Sequence, residues 1–232
     1  MRHAALYLAG LLATLGVGQC AAIGAVSFFD GTFANDDWTV ITVPGWDYGT
    51  ATGTQIATGG NPDFYREITN TVQSLPLVTI HGFHIKLSAM YDPSVQGAIA
   101  TIDYSEDSLL ISGFEGGEGQ FAAPALVQGG MCYYASGWAT PEFYWVHHSA
   151  SDLTADSFLR LALGPPEHPD FSASGSAMEF GFLRGNSTSE GASGYTCVGG
   201  IDNWSVTVNL VPDPATLSLL ALGGLALLRR RK

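Results

Sequence analysis

The chain has 232 residues and a formal net charge of −12, with 9 Lys and Arg against 21 Asp and Glu. An apolar segment at each end leaves a body of about 185 residues, the size of one β-sandwich or barrel domain. So few basic groups cannot replace the counterions of phosphate, and this composition excludes nucleic-acid binding. The basic residues of the body are Arg66, Lys86, Arg160 and Arg184.

The first 22 residues are typical of a secretory signal peptide. Arg2 supplies the positive charge, residues 4–17 are apolar, and small residues follow at the end of the segment. We therefore predict that signal peptidase removes residues 1–22 and that the protein is exported. Cys20 would suit a lipoprotein, but Gln19 stands where a small residue should precede a lipidated cysteine.

The body is predicted to consist of strands. Short runs rich in Val, Ile, Thr and aromatic residues alternate with Gly, Pro, Asn and Asp, a pattern of strands separated by turns. Only residues 154–159 are predicted as a short helix, with Thr154 or Asp152 as its N-cap. Many strands at short spacing favour one all-β domain over residues 25–210, a jelly-roll β-sandwich. The predicted strands are residues 25–29, 38–43, 55–57, 65–71, 79–90, 97–104, 108–112, 125–128, 131–134, 143–148, 158–161, 178–184 and 201–208.

Two segments at opposite ends of the body have related patterns. Residues 29–33 read Phe-Asp-Gly-Thr-Phe near the start of the body, and residues 201–204 read Ile-Asp-Asn-Trp near its end. This pairing resembles jelly-roll carbohydrate-binding modules and concanavalin A/laminin-G-like sandwiches. The resemblance implies that the first and last strands are neighbours. It also implies a structural Ca²⁺ between them, with Asp30 and Asp202 as oxygen ligands. The alternative is that Asp30 forms a turn and Asp202 a hydrogen bond at a strand end.

Aromatic residues cluster between residues 133 and 145. Exposed Tyr and Trp rings can contact the apolar face of a sugar while neighbouring polar groups bind its hydroxyls. We predict that Tyr134, Trp138 and Tyr144 project outwards and bind a polysaccharide. The alternative is that these rings pack in the core and between strands.

Cysteines and histidines yield weaker predictions. After signal-peptide removal Cys132 and Cys197 remain, and they either form one disulfide in an oxidising compartment or stay as two buried thiols. The histidine pairs do not have the spacing of a transition-metal site. His81 and His84, like His147 and His148, point to opposite faces of a regular strand.

No catalytic motif is recognisable in the sequence. A glycosidase needs two carboxylates on either side of a cleft, and the nearest pair is Glu115 and Glu118 in a Gly-rich stretch typical of a loop. The sequence has no nucleophile elbow, zinc-protease helix or phosphate loop. We therefore expect a protein that is not an enzyme.

The C-terminal segment, residues 211–232, resembles the PEP-CTERM sorting signal of exported bacterial proteins. It combines a Val-Pro-Asp-Pro motif, an apolar run over residues 217–228 and a terminal basic cluster. The apolar run is short for a transmembrane helix, and the basic cluster would stay cytoplasmic. The resemblance implies processing by an exosortase and delivery to the cell envelope or surface. The residues that carry it are Val211, Pro212, Asp213, Pro214, Arg229, Arg230 and Arg231.

The sequence thus predicts an exported, surface-sorted, non-catalytic protein that binds carbohydrate or is associated with the extracellular matrix. Two alternatives stay open. One is a glycan-active enzyme with the same sandwich fold, and the other is a purely structural surface protein without a ligand.

Overall fold

The chain folds into two β-sheets that pack face to face, in a computed structural model that describes residues 24–113, 119–162, 164–190 and 193–212. The predicted signal peptide, and the sorting tail from Asp213 onwards, lie outside the described residues. The strands are β1 (Ala25–Asp30), β2 (Trp38–Ile41), β3 (Gly49–Gly60), β4 (Asp63–Val72), β5 (Thr79–Tyr91), β6 (Ile99–Ser112), β7 (Gln120–Gln128), β8 (Met131–Tyr134), β9 (Trp138–Thr140), β10 (Val146–Leu153), β11 (Leu159–Arg160), β12 (Met178–Ser187) and β13 (Tyr195–Leu210).

The strand order separates the two sheets cleanly. The first sheet runs β10-β6-β13-β4-β3, with β1 also paired to β13, and the second runs β11-β8-β7-β12-β5-β2, with β9 paired to β7. All pairs of these strands are antiparallel. The predicted all-β sandwich is confirmed as a two-sheet architecture.

The first and last strands are neighbours, as predicted. β1 pairs with the second half of β13, from Ala25 opposite Asn209 to Asp30 opposite Trp204. β4 pairs with the first half of the same edge and ends at Arg66 opposite Ile201. Between these two partners β13 changes register against β6, and Asn203 adopts a positive φ of 50°. The irregularity is a β-bulge, which re-aims the side chains on either side of it.

One end of the space between the sheets is apolar. Trp38 lies at its centre, with ring centroids 5.2 Å from Trp204 and 5.3 Å from Phe182. Alternate residues of β13, such as Val206 and Val208, face this core and are buried. The remaining space holds charged and polar groups, and a buried ion pair joins Arg184 Nη2 to Glu106 Oε1 at 2.7 Å.

Several predicted elements differ from the observed ones. β3 is far longer than the predicted strand over residues 55–57, and β6 continues through the acidic residues that were expected to interrupt it. The strand tolerates Glu106 there because that carboxylate points inwards to Arg184. A short helix α1 (Pro93–Gln96) and the strand β9 were not predicted.

The predicted helix over residues 154–159 is a single 3₁₀ turn. It spans Ala155–Ser157, with Thr154 as N-cap and reciprocal bonds between Thr154 and Ser157. In the described part of the chain, no helix has the length and apolar character needed to cross a bilayer. The helix predicted for the C-terminal tail lies outside that part.

Two glycines of β12 provide a matched test of packing. A Cβ on Gly181 would collide with the backbone carbonyl of His84, whereas a Cβ on Gly185 would meet His81 and Phe121 atoms at 3.6 Å. We expect Gly181→Ala to lower the free energy of unfolding by about 1–3 kcal/mol through overpacking. Gly185→Ala should leave it unchanged or raise it by less than about 1 kcal/mol. Urea denaturation measures both, and equal effects of the two variants would contradict the strand geometry.

Candidate functional site

A groove lies at the end of the sandwich where β7 begins and β12 ends. Its main part includes Tyr195 of the first sheet, and its adjoining part extends onto the outer face of the second sheet. Its main part has a volume of about 300 Å³, and an adjoining part of about 210 Å³ shares Phe121, Gly185, Asn186 and Ser187 with it. The described residues that line the groove include no Asp, Glu, Lys or Arg. They are Thr79, His81, Gly119, Gln120, Phe121, Ala139, Gly185, Asn186, Ser187, Thr188, Ser189 and Tyr195.

The floor of the groove is Gly185. It lies directly opposite His81 on β5 and Phe121 on β7, so the three residues form one row across the sheet. Residues opposite each other in a sheet have their side chains on the same face. Since Gly185 has no side chain, the two rings flank a small space over it, in which a Cβ would lie 3.6 Å from an atom of each ring.

Phe121 forms the aromatic wall. Its side chain is 37% exposed, and its ring meets the Tyr134 ring edge-on at 6.3 Å. A second glycine, Gly137, lies under the other side of this ring. The ring is therefore supported by neighbours but open to solvent, which suits stacking against the apolar face of a ligand.

The opposite wall is His81, which is held by Asp47. The Asp47 Oδ1 atom accepts hydrogen bonds from the His81 backbone N–H and ring Nδ1, both at 2.8 Å. The other Asp47 oxygen accepts from the Val43 backbone N–H at 2.5 Å. Only 3% of the Asp47 side chain is exposed, against 19% for His81. The Asp47 carboxylate therefore orients the His81 ring, and of these two side chains only the imidazole lines the groove.

Hydrogen-bonding groups line the end of the groove. Asn186 Nδ2 donates to the Gly119 carbonyl at 3.0 Å, and the Tyr195 hydroxyl donates to the Ser187 carbonyl at 3.0 Å. The hydroxyls of Ser187 and Ser189 lie beside them. An uncharged ligand rich in hydroxyls matches this combination of one exposed ring and several neutral polar groups.

The structure places the three predicted glycan-binding residues in different environments. Tyr134 is half-buried beside the groove, where it supports Phe121. Tyr144 is 68% exposed, but it does not line the groove. Trp138 is turned inwards, with its ring stacked on His148 at 5.0 Å and packed on the core. This corrects the prediction that Trp138 projects outwards, because pairing of β9 with β7 places that ring between the sheets.

Asp30 is surrounded by hydrogen-bond donors. Its carboxylate accepts from Lys86 Nζ at 2.6 Å, from Trp38 Nε1 at 2.9 Å and from the Thr32 and Phe33 backbone N–H groups at 2.8 Å. Burial acts to raise its pKa, but these donors, Lys86 first, lower the pKa to about 2. The alternative interpretation of Asp30 as a turn residue describes these contacts.

Asp202 lies at the β13 bulge, directly opposite Asp107 on β6. Asp202 accepts hydrogen bonds from the Asn61 and Asn203 backbone N–H groups, and Asp107 accepts from both asparagine side chains. His147 Nδ1 lies 2.8 Å from Asp107. Burial raises the pKa of Asp202 against these hydrogen bonds, and the nearby Asp107 and Asp30 add to the rise. We call these five residues the acidic node.

The acidic node does not complete a recognisable metal centre. In the described ranges, no group of three or more His, Cys, Asp or Glu side chains is arranged to hold an ion. Asp30 binds Lys86 instead of joining the node. Calcium binding at Asp30 and Asp202 therefore stays a prediction.

The two cysteines are free and buried in this structure. Cys132 lies on β8 of the second sheet, and Cys197 lies on β13 of the first. Burial raises the pKa of Cys132 to about 11 and also raises that of Cys197. High thiol pKa values make both residues poor nucleophiles at neutral pH.

Sequence reasoning missed Phe121, Gly185 and the role of His81. Each is an ordinary residue in the sequence, and only strand register places them in one row. The one available signal was Gly185, which directly follows Arg184 at the end of the strand predicted over residues 178–184. Glycine in a strand often marks close approach of a ligand or of another backbone. The carboxylates Glu115 and Glu118 lie outside the described residues.

Comparison with known proteins gives only remote likenesses. No protein-family model matches the chain, and no curated protein matches it. Its fold is similar to the family 11 carbohydrate-binding module of the cellulosomal cellulase Lic26A-Cel5E of Clostridium thermocellum, with 13% identity, a TM-score of 0.46, and coverage of 83% of this chain and 99% of that one.

Two further solved structures are similar at the same level. The CBM22-1 xylan-binding domain from Paenibacillus barcinonensis Xyn10C has 12% identity and a TM-score of 0.40, covering 82% of this chain and 96% of that one. The lectin UEA-II complexed with galactose has 12% identity and a TM-score of 0.41, covering 80% and 99%. These scores are too low to support an argument about function, so the function is argued from the residues of this chain.

The Asp30–Lys86 pair predicts an acid-dependent loss of stability. Because the folded-state pKa of Asp30 is lowered to about 2, the unfolded state binds more protons as the pH falls from about 4 to about 2. The ionised carboxylate then loses about 2 kcal/mol of stabilisation across that window. Urea denaturation at a series of pH values should show this loss in the wild type and a flatter profile in Asp30→Asn.

A double variant controls for the charge that Asp30→Asn leaves behind. Removing the carboxylate alone leaves the buried Lys86 ammonium with only the more distant and exposed Asp37 carboxylate, 3.4 Å away, which should cost up to about 3–5 kcal/mol. Asp30→Asn/Lys86→Met should recover much of that loss while keeping the flat acid profile. Identical profiles for the wild type and both variants would disprove the pairing.

Proposed function

We propose that the protein is an exported, surface-sorted, non-catalytic module that binds a glycan in the groove over Gly185. The single observation that carries this proposal is the row His81–Gly185–Phe121. It offers an exposed aromatic ring, an open floor and an imidazole wall within one strand row. Hydroxyl and amide groups continue from this row along the groove.

A glycan fits these features better than other ligand classes. Sugars present an apolar face to an aromatic ring and hydroxyls to neutral polar groups, which is what the groove supplies. A nucleic acid or phosphorylated ligand would need cations, and the described lining residues include no Lys or Arg. A protein partner would use a larger apolar surface than this narrow groove with its single exposed ring.

The delivery of the protein rests on its two terminal segments. The signal peptide over residues 1–22 supports export, and the PEP-CTERM-like tail over residues 211–232 supports exosortase processing and a transient membrane anchor. A soluble glycan-binding module at the cell surface would contact matrix polysaccharide there. Detection of the protein on intact cells, with and without Arg229→Ala/Arg230→Ala/Arg231→Ala, tests this part of the proposal.

Binding to the groove is tested by paired variants. Phe121→Ala should weaken binding of a neutral oligosaccharide about tenfold, because one aromatic contact contributes about 1.5 kcal/mol. Gly185→Leu should abolish binding by filling the floor. Tyr144→Ala, which removes an exposed ring outside the groove, should have no effect. Isothermal titration measures all three, and equal binding by every variant would place the ligand elsewhere.

Hydrolysis of a glycan is a second candidate function, which the acidic node favours. Asp107 and Asp202 lie opposite each other, and the pKa of Asp202 is raised by burial. A raised pKa beside a second carboxylate is typical of a general acid. However, the amides of Asn61 and Asn203 occupy the carboxylate oxygens. We expect no release of reducing sugar from bound oligosaccharides, and release that is lost in Asp202→Asn would establish the enzyme instead.

A structural calcium ion at Asp202 is a separate proposal. It is supported by two buried carboxylates, Asp107 and Asp202, whose described partners include no Lys or Arg. A ligand that binds only the folded state raises the melting temperature. Calcium should therefore raise the midpoint relative to excess chelator, and Asp202→Ala should remove the rise. The same midpoint in both conditions would eliminate the ion.

A further inference from the structure

We propose that the groove is specific for a neutral polysaccharide, and that His81 determines this specificity as a fixed hydrogen-bond acceptor. The inference rests on the proposed glycan-binding function and adds the class of ligand and the residue that selects it. Two independent features carry it: the tautomer that Asp47 imposes on His81, and the location of the basic side chains.

Asp47 determines which imidazole nitrogen faces the ligand. A carboxylate accepts hydrogen bonds and does not donate them, so the Nδ1 atom at 2.8 Å from Asp47 Oδ1 carries the proton. In the neutral ring the Nε2 atom then has a free lone pair. The backbone N–H of His81 binds the same carboxylate oxygen, and the ring is therefore fixed in position as well as in tautomer.

The Nε2 lone pair requires a donor from the ligand. The Cα atoms of His81 and Phe121 lie on either side of Gly185, two strand spacings or about 10 Å apart. Their rings lean towards Gly185, since a Cβ on that residue would lie 3.6 Å from an atom of each ring. A sugar ring stacked on Phe121 would present equatorial hydroxyls sideways, towards His81. A ligand group that can only accept, such as a carboxylate or sulfate, would face the lone pair with like polarity.

The charges of the protein also exclude acidic glycans. Three of the four Lys and Arg residues in the described chain are buried, namely Arg66, Lys86 and Arg184 at 2%, 8% and 1% exposure. The fourth, Arg160, lies beside a different pocket, and its Nη1 atom donates to the Gly164 and Pro165 carbonyls. Recognition of carboxylates and sulfates depends on exposed cations, and the excess of Asp and Glu over Lys and Arg in the chain repels them.

The test is a titration of the mature protein with two sets of soluble oligosaccharides, in buffer with EDTA. The neutral set contains linear hexasaccharides of glucose, xylose, mannose and galactose. The acidic set contains oligogalacturonate and sulfated galactan fragments of the same length. We expect at least one neutral oligosaccharide to bind and every acidic one to bind at least tenfold more weakly.

The role of His81 is tested with the oligosaccharide that binds best. His81→Phe keeps the ring but removes the acceptor, and it should weaken binding at least tenfold. The matched control is His168→Phe, which removes an imidazole that contacts the Phe158 carbonyl and does not line the groove. It should bind as the wild type does.

Asp47 is a positioning residue in this proposal, and nuclear magnetic resonance of the ring nitrogens tests its effect without any ligand. In the neutral ring of the wild type, Nδ1 should carry the proton and Nε2 should not. Asp47→Asn should shift this tautomer balance. A protonated Nε2 in the neutral wild-type ring would overturn the acceptor role even if a variant failed to fold.

The outcomes separate the inference from the function on which it rests. Equal binding of acidic and neutral oligosaccharides would overturn the neutral specificity and leave glycan binding intact. Unchanged affinity in His81→Phe would overturn the role of His81 alone. Binding of no member of either set would refute the proposed function itself.

Discussion

The two sheets are joined by charged and polar contacts that cross the space between them. Asp30 on β1 binds Lys86 on β5, Glu106 on β6 binds Arg184 on β12, and Arg66 on β4 donates to His84 on β5 at 3.4 Å. In each contact one partner belongs to the first sheet and the other to the second. Because a buried charge without its partner is costly, these contacts specify how the sheets align, in addition to the apolar core around Trp38.

The same contacts account for the character of the surface. Basic side chains that are buried inside the sandwich are removed from the outside, and the acidic residues that are exposed there have little balancing charge. Burial lowers the pKa of Arg66 to about 10, yet the guanidinium keeps its charge at neutral pH. Burial of basic side chains in the interior therefore leaves the surface with a negative charge. This gives the uncharged groove on the second sheet a distinct place on an otherwise acidic molecule.

The sequence predicts those features of the fold that depend on short segments better than those that depend on how strands pair. Strand identity follows from local composition, and the strand over residues 131–134 coincides with β8. The pairing of β1 with β13 was expected from the two Asp-containing motifs, and it is confirmed. Both features depend on short segments whose residue types are directly visible.

The face of the sheet on which each side chain lies could not be predicted in the same way. A one-residue change of register moves every following side chain to the other face of a sheet. The bulge at Asn203 makes such a change in β13, so that Ile201 and Trp204, three positions apart, both lie in the core. The row that forms the groove likewise depends on the register of three strands. Trp138 was misjudged for the same reason, since β9 is too short to show any alternation.

The strand β13 also sets the orientation of the molecule relative to whatever holds its C-terminus. Tyr195 at the start of this strand lines the groove, and Leu210 at its end leads into the tail. Sixteen residues of extended chain separate these points, a span of up to about 50 Å. Gly24 lies against Leu210, so the N-terminal end of the body is at the same pole. A domain tethered through Leu210 would hold the groove at its distal tip, turned away from the tether and towards polymers in the surroundings.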